Sequence, residues 1–523
     1  MENVDAAHFG ELEPAPRVAR ADLDRSLLSG IAWTSIVTWF SQALGWSTTL
    51  VVVHYLAPSD YGLIGMAALY LGLVQMASEL GLGSAVVRFH DLTSNQLGQF
   101  NSLSVIAGAA GVALSLAAAI PMGYFFREPR LPAIVAVMSL AFFISGFKIV
   151  PQALLQRQLQ FRKLALIEGT QSIVGALSNL TMVLLGFGYW TLAIYPVVCA
   201  TVYALLVVLN CPTHFRRPRL SSIRQPFAFS SHMLFTRFAW YAYSNADFAV
   251  IGKLLGKAAL GAYTVGWTMS GMAVEKITSL IGRVTPAFFA TVQHDIAELR
   301  RYLLLLTEAL ALLTFPVCVG IALIAGDIVR LALGERWTVA IVPLQLLAIM
   351  ATFRSIEPLI PQVLAAIGET RLNVRNALLT VVVLPAGFLF ATRWGIVGVA
   401  SAWLVLGPLM FSPLLAVALR RIELPARDYF RSLWPATSGC LIMALVVISV
   451  DRAFLKDTPL YVSLLTKIVA GAAAYAGSVF TFQRDRIQLL RELWRLLRSP
   501  RPSALPDVAV ATVIGAADAV GAA

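Results

Sequence analysis

Long apolar runs recur along nearly the whole chain and are separated by short polar segments. A run such as residues 31–53 is apolar on all sides, without the alternation of a membrane barrel strand. Runs of about 20 residues are long enough for a helix to cross a hydrocarbon core of about 30 Å. Because backbone groups in lipid must be paired internally, the pattern predicts an all-α protein that crosses a membrane many times.

The apolar runs predict about fourteen transmembrane helices, and twelve remains open if one hairpin is misassigned. The predicted helices cover residues 28–53, 61–83, 102–125, 131–151, 164–186, 189–211, 228–251, 259–289, 303–325, 338–365, 372–392, 395–419, 432–450 and 460–482. The fold class we expect is two six-helix bundles, a 6+6 parallel repeat, followed by a C-terminal helix pair.

The domain organisation follows from where the polar segments fall. We expect a disordered cytoplasmic arm at 1–25, a six-helix bundle at 26–211, a basic cytoplasmic linker at 212–227, a second bundle at 228–419, a helix pair at 432–482, a basic amphipathic cytoplasmic helix at 484–502 and a disordered tail at 503–523. Arginines around the amphipathic helix suit it to an anionic inner leaflet.

Composition agrees with this class of protein. Hydrophobic residues make up 58% of the 523 positions and charged residues only 13%, against about 25% charged residues in soluble domains. The net charge of +12 does not indicate a nucleic-acid partner, because the basic residues lie between apolar runs. The cysteines have no C-x-x-C spacing and no two histidines lie four apart, so we predict no metal site and no cofactor.

The distribution of Lys and Arg predicts the orientation. With the N-terminus in the cytoplasm, most of these residues fall in the inner segments, as the positive-inside rule requires. The predicted outer loops hold only Arg127, Arg130, Lys253, Lys257, Arg330, Arg336, Arg393, Arg452 and Lys456. We therefore expect a multi-pass membrane protein with both termini in the cytoplasm.

A weak internal repeat relates the two predicted bundles. Residues 56–62 have a counterpart at 255–261, 199 positions later, and residues 188–193 are similar to 395–400 at an offset of 207. Each matched pair lies at the same place within its bundle. Because the offset corresponds to six helices, the repeats would be parallel, about an axis along the membrane normal.

Several short motifs occur in order along residues 25–480 and resemble those of polysaccharide-export flippases, in the multidrug/oligosaccharidyl-lipid/polysaccharide superfamily. The motifs are Leu56-Ala57-Pro58-Ser59-Asp60-Tyr61-Gly62, Gly81-Leu82-Gly83-Ser84-Ala85-Val86-Val87-Arg88, Gln156-Arg157-Gln158-Leu159-Gln160-Phe161-Arg162, Asn245-Ala246-Asp247, Leu260-Gly261-Ala262-Tyr263 and Gly334-Glu335-Arg336-Trp337. The branch that exports lipopolysaccharide and exopolysaccharide is the most similar, although Ala57 stands where that family usually has glycine.

The resemblance implies a two-bundle transporter, not an enzyme, that works by alternating access. Its implied activity is to flip an undecaprenyl-pyrophosphate-linked oligosaccharide repeat unit from the inner to the outer leaflet of the bacterial inner membrane, which is the location the resemblance implies. The partners we expect are this lipid-linked oligosaccharide, the bilayer, a polysaccharide polymerase and export machinery. No nucleic acid is expected.

Charged residues inside the predicted spans are the candidates for function. Each costs at least about 2.5–3.5 kcal/mol at the bilayer centre, so it usually faces a cavity or a partner. Lys276 and Arg283 lie seven residues apart on one helix face and can hold a diphosphate. Arg237 and Arg354 complete the predicted phosphate-binding set.

A second set of residues is expected to line the lumen or couple transport to an ion. It comprises Glu79, Asn245, Asp247, Glu275 and Glu357. Glu79 and Asp247 are the coupling candidates, because a carboxylate whose surroundings lift its pKa can exchange a proton.

Some of these charges have a structural alternative. Arg354 and Glu357 can pair at three residues' spacing beside a helix kink at Pro358, so a structural ion pair remains open. Long charged side chains near span ends can reach the membrane interface. That explanation is preferred for Lys148, Glu168, Glu308 and Lys467.

Two other functions compete with the flippase. A multidrug exporter of the same superfamily shares the expected fold, but its organic-cation substrates would favour acidic rather than basic residues. A polysaccharide polymerase or ligase would need a long outer loop for its catalytic residues, and none is predicted. The sequence contains no G-x-x-x-x-G-K-[ST] loop, so we do not expect this chain to hydrolyse ATP.

Overall fold

The structure is a computed structural model that describes residues 37, 40, 41, 43–79, 82–89, 92–218, 241–282, 285–455 and 458–482. Every regular element within these ranges is helical, and no strand occurs in them. The all-α class predicted from the apolar runs is therefore confirmed. The arm at 1–25, the helix at 484–502, the tail at 503–523 and the end of the linker at 212–227 lie outside the described residues.

The helices follow the apolar runs in chain order. Residues 43–55 are helical, and the elements after them are α1 Pro58–Glu79, α2 Leu82–Arg88, α3 Ser94–Phe126, α4 Leu131–Gly146, α5 Ile149–Arg157, α6 Phe161–Leu184, α7 Trp190–Asn210, α8 Ala246–Leu254, α9 Lys257–Gly282, α10 Thr285–Thr291, α11 Ile296–Ile328, α12 Ile341–Ile356, α13 Leu359–Ala366, α14 Thr370–Ala391, α15 Gly395–Arg421, α16 Ala426–Phe454 and α17 Leu460–Phe482. A π-helical turn spans Val329–Leu333, and 3-10 turns span Glu335–Ala340 and Thr392–Trp394.

Several of these helices can cross a membrane. In the part of the chain that the structure describes, seven helical segments are long and apolar enough, and the pair α4 and α5, bent by 44°, would make an eighth. One of the seven, Thr370–Arg421, has 52 residues, more than twice the roughly 20 that one crossing needs. The protein is thus a multi-pass membrane protein, and the count of fourteen crossings stays a prediction.

The described residues pack into two compact units. The first comprises the chain up to Ser270 together with Ala325–Met350 and Arg371–Met410. The second comprises Gly271–Ile324, Ala351–Thr370 and the chain from Phe411 onward. The bundle boundaries predicted from the sequence, 26–211 and 228–419, stay predictions.

Small residues bring helices of the first unit close together. The Ser104 hydroxyl in α3 donates to the carbonyl of Gly146 in α4 at 2.8 Å. A Cβ atom on Gly108 would lie 2.5 Å from the carbonyl oxygen of Phe142. In lipid, where burying apolar surface drives no association, such close backbone packing holds helices together.

Local signals at the helix ends agree with the sequence. The hydroxyl of Thr93 accepts from the Gln96 backbone, and the Gln96 side chain accepts from the Thr93 backbone at 2.9 Å, which forms a capping box at the start of α3. The break expected near Pro358 is present, because α12 ends at Ile356 and α13 begins at Leu359.

An ion pair joins the two C-terminal helices in the second unit. Lys467 Nζ in α17 lies 2.6 Å from Asp451 Oδ1 in α16, and the Lys467 side chain is only 9% exposed. The partner of the Lys467 charge is thus a carboxylate whose own side chain is 48% exposed, and the expectation that Lys467 extends to the membrane interface stays a prediction. Glu308 in α11 is buried in the protein, which the interfacial explanation did not predict.

Candidate functional site

The predicted phosphate-binding residues are only partly described. Arg237 and Arg283 lie outside the described residues. Lys276 lies in α9 and Glu79 at the end of α1, but the positions of their side chains fall outside the description too. The predicted diphosphate pair of Lys276 and Arg283 stays a prediction.

Asp247 is the predicted residue that the structure places most clearly. Residues 241–244 form a helical turn, Asn245 interrupts it, and α8 then begins at Ala246, so Asp247 lies in the first turn of α8. The Asn245 side chain donates to the Tyr241 carbonyl at 2.9 Å, which closes the interruption. A carboxylate in the first turn is favoured by the helix dipole.

The carboxylate of Asp247 is completely buried and bound by two hydrogen-bond donors. The Tyr263 hydroxyl in α9 donates to Oδ2 at 2.6 Å, and Nε1 of Trp403 in α15 donates to the same oxygen at 2.9 Å. The other oxygen, Oδ1, has no hydrogen-bond partner among the described residues. One buried carboxylate thus connects three helices of the first unit while keeping an oxygen available.

Aromatic rings surround this carboxylate. Trp267 packs against Trp403 with ring centroids 5.6 Å apart and against Phe248 at 5.7 Å. Phe388 in α14 lies 5.1 Å from the Trp403 ring. Such rings give the carboxylate a surrounding of low polarity, in which a charge without a counter-ion is costly.

The charge of Asp247 has no compensating cation in the described part of the chain. No ion pair to Asp247 occurs there, and no group of His, Cys, Asp and Glu residues there could hold a metal ion. Its two neighbours present N–H and O–H donors rather than lone pairs. This arrangement suits a group that gains and loses a proton, because the protonated form would remove the cost of the buried charge.

The remaining predicted residues belong to the second unit. Arg354 is half-buried near the end of α12, and Glu357 is exposed directly after that helix. The two charges interact electrostatically, and the Glu357 N–H still donates to the Phe353 carbonyl at 3.1 Å, so both residues precede the helix break. Glu275, in the part of α9 that belongs to the second unit, is exposed.

The sequence analysis missed Tyr263 and Trp403 as partners of Asp247. The signal for Tyr263 is present, because Asp247 and Tyr263 lie equally far from Leu255, where the chain turns between α8 and α9. Residues equidistant from the turn of a helical hairpin lie at the same depth. Trp403 is 156 positions away from Asp247, and only the general need of a buried indole N–H for an acceptor pointed to it.

Similarity to known proteins agrees with this architecture. The chain is 23% identical to the lipopolysaccharide biosynthesis protein WzxC of Escherichia coli, over 79% of this chain and 85% of that protein. It is 24% identical to the succinoglycan biosynthesis transport protein ExoT of Rhizobium meliloti, over 92% of this chain and 98% of that one. Among solved structures, the lipid II flippase MurJ in an inward closed conformation has the same fold, with a TM-score of 0.67 and 14% identity over 87% of this chain and 99% of MurJ.

A family described as polysaccharide biosynthesis protein matches residues 51–342, which is more than half of the chain. The matched region contains α1 to α11, with Asp247 and Tyr263 but not Trp403. The resemblance that the sequence motifs indicated is confirmed by this match and by the relatives named above. The chain belongs to the polysaccharide biosynthesis protein family.

Proposed function

We propose that this protein flips undecaprenyl-pyrophosphate-linked oligosaccharide repeat units from the inner to the outer leaflet of the bacterial inner membrane. The observation that carries the proposal is the similarity, along nearly its whole length, to a protein named for succinoglycan transport. The fold shared with a lipid II flippase supports it, because that protein is named for flipping a lipid.

The proposed mechanism is alternating access between two six-helix bundles, in a protein with fourteen crossings and both termini in the cytoplasm. The headgroup would enter from the cytoplasm and be held by Lys276 and Arg283, and Arg237 and Arg354 are the further proposed phosphate-binding residues. Cationic side chains suit a diphosphate because its oxygens accept charge-assisted hydrogen bonds. The polyprenyl chain would stay in lipid.

Coupling to an ion gradient is assigned to Asp247. Its burial, its donor partners and its available Oδ1 atom fit a carboxylate that binds a proton in one state and releases it in another. Glu79, Asn245, Glu275 and Glu357 are assigned to the lumen as supporting polar groups. The membrane potential or the proton gradient would supply the energy.

The test is a deletion strain complemented by the parent gene or by variants. Loss of surface polysaccharide, with lipid-linked repeat units accumulating on the inner leaflet, is expected, and the parent gene should reverse both. Sensitivity to cationic dyes with normal polysaccharide would instead favour a multidrug exporter. Accumulation of single repeat units on the outer leaflet would favour a polymerase or ligase.

The headgroup site has its own test in proteoliposomes loaded with the lipid-linked substrate. The double variant Lys276→Ala/Arg283→Ala should lose flipping, because the diphosphate would lose both cations. Arg301→Ala serves as the matched control, because Arg301 is exposed and pairs with Glu298 in its own helix at 3.5 Å. Unchanged flipping in the double variant would remove the two residues from the mechanism.

A further inference from the structure

Two segments that resemble each other in sequence cross each other in the first unit. Residues 58–62 begin α1 and residues 257–261 begin α9. A Cβ atom on Gly62 would lie 1.7 Å from the carbonyl oxygen of Lys257, and one on Gly261 would lie 1.7 Å from the carbonyl oxygen of Pro58. We call this contact the glycine crossing.

The glycine crossing is reciprocal. Positions 58 and 62 correspond to 257 and 261 at the offset of 199 found in the sequence, so exchanging the two segments converts each contact into the other. Contacts of this kind are the mark of two-fold symmetry. A local pseudo-two-fold axis therefore passes between the two segments, as two repeated halves meeting at their equivalent ends would require.

Charged side chains reinforce the crossing on one side. Lys257 Nζ lies 2.6 Å from Glu128 Oε2, and the Glu128 side chain is 10% exposed. One turn earlier, the Lys253 ammonium contacts the carbonyl of Phe125 and lies 4.3 Å from the centre of that ring. Both contacts join the end of α3 and the turn after it, in the first predicted bundle, to the end of α8 and the start of α9, in the second.

The contact loosens along α1 away from the crossing. Beyond Gly62 the neighbours of the glycines are side chains instead of backbone: at Gly65 a Cβ atom would lie 3.4 Å from Leu260, an ordinary contact. At Gly72 the neighbour is the ring of Tyr241, whose hydroxyl donates to the Leu69 carbonyl at 3.1 Å. Of these three glycines only Gly62 lies against backbone, and the long side chain of Tyr241 fills the space beside Gly72.

We propose that the glycine crossing is the external seal of the transport cycle. In the orientation predicted from the positive-inside rule, all of its segments lie at the outer ends of their helices, and Lys253 and Lys257 lie in an outer loop. This inference rests on the proposed transport function. A seal at this end of the helices must open each time the headgroup is released to the outside. The ion pair between Glu128 and Lys257 holds the seal closed in the state that the structure shows.

The first test adds a methyl group at the crossing. A carbon and a carbonyl oxygen approach no closer than about 3.3 Å, so Gly62→Ala or Gly261→Ala has to separate the segments by about 1.6 Å. Both glycines lie inside helices, where alanine is otherwise favoured, so any loss comes from the contact. Gly65→Ala, with a 3.4 Å contact, and Gly320→Ala, with no neighbour within 4 Å, are the matched controls.

The readout is a reporter cysteine below the seal, in a chain whose four native cysteines are replaced. Thr268→Cys suits this purpose, since Thr268 is exposed and lies on the same face of α9 as Gly261 and two turns further inward. Labelling of intact cells with a membrane-impermeant maleimide should rise at least tenfold in Gly62→Ala and Gly261→Ala. It should not change in the two controls.

The second test exchanges the charges of the ion pair and can be used if a glycine variant does not fold. Glu128→Lys and Lys257→Glu should each raise external labelling, and the double exchange should lower it again towards the parent level. In a chain carrying both Glu128→Cys and Lys257→Cys, a short bifunctional thiol reagent that links positions 128 and 257 should keep external labelling at the parent level and stop flipping. Labelling that stays at the parent level in folded variants of both series would overturn the proposal.

The outcomes separate the seal from the transport function, because labelling needs no substrate. If labelling responds as expected while surface polysaccharide is normal without the protein, the seal stands and the flippase assignment falls. If flipping is found but labelling does not respond, the transporter stands and its seal lies elsewhere.

Discussion

The role of Asp247 can be decided by comparing alanine with asparagine at that position. Asp247→Ala removes the acceptor of two buried donors, the Tyr263 hydroxyl and Trp403 Nε1. Leaving a buried donor unsatisfied costs about 1–3 kcal/mol, so alanine should lower the free energy of unfolding by about 2–6 kcal/mol. Asparagine keeps one oxygen for both donors and removes the uncompensated charge, so we expect a loss of about 1–2 kcal/mol.

The transport activity of the two variants should not follow the order of their stabilities. If Asp247 carries a proton, Asp247→Asn should abolish flipping in proteoliposomes although the protein still folds. The control is Trp403→Phe, which removes one donor but leaves the carboxylate able to ionise and should retain flipping. Melting curves in detergent measure the stability of each variant, and the rate of substrate flipping in proteoliposomes measures its function.

Two results would refute this reasoning. Flipping at the parent rate in Asp247→Asn would show that the carboxylate only connects helices. Equal loss of flipping in Asp247→Asn and Trp403→Phe, at equal stability, would show that the geometry of the hydrogen bonds matters and the charge does not.

Three further predictions concern stability and are measured as melting temperatures in detergent. Asp451→Asn should destabilise the protein by about 1–3 kcal/mol, because it removes the carboxylate charge that lies 2.6 Å from the buried Lys467 ammonium, and Lys467→Met should restore part of the loss. Gly146→Ala, whose Cβ atom would lie 2.8 Å from a carbonyl oxygen of α3, should cost about 1–3 kcal/mol, while Gly477→Ala, with no neighbour within 4 Å, should cost nothing. Leu159→Gly should stabilise by about 1 kcal/mol, because Leu159 is exposed and has a left-handed φ of 56°.

The helical class and the positions of most helices could be predicted because apolar runs in lipid leave the chain few alternatives. The break at Pro358 was predictable for a similar local reason, since proline disturbs the helix at the residue before it. The environment of single charges could not be predicted. The partner of Lys467, Asp451, lies on another helix, and helix pairing is not encoded in a local pattern.

The candidate site shows the same limit. Asp247 could be selected from the sequence because a carboxylate inside a span is costly. Its partner Trp403 could not, because the contact depends on how α15 packs against α8. The internal repeat was more informative than local patterns about long-range contacts. The residues related by its offset of 199 are those that make the reciprocal contacts of Gly62 and Gly261.

The Asp247 site and the glycine crossing share the same two helices, so a change at one should be detected at the other. Tyr263 lies two residues after Gly261 in α9, and its hydroxyl holds the carboxylate at 2.6 Å. A hydrogen bond to a charged acceptor is about twice as strong as one to a neutral acceptor, so neutralising Asp247 weakens the attachment of α9 next to the crossing. Asp247→Asn should therefore raise external labelling of Thr268→Cys even without substrate. Labelling equal to that of the parent would mean that the carboxylate and the seal are independent, and that coupling between ion and substrate follows another route.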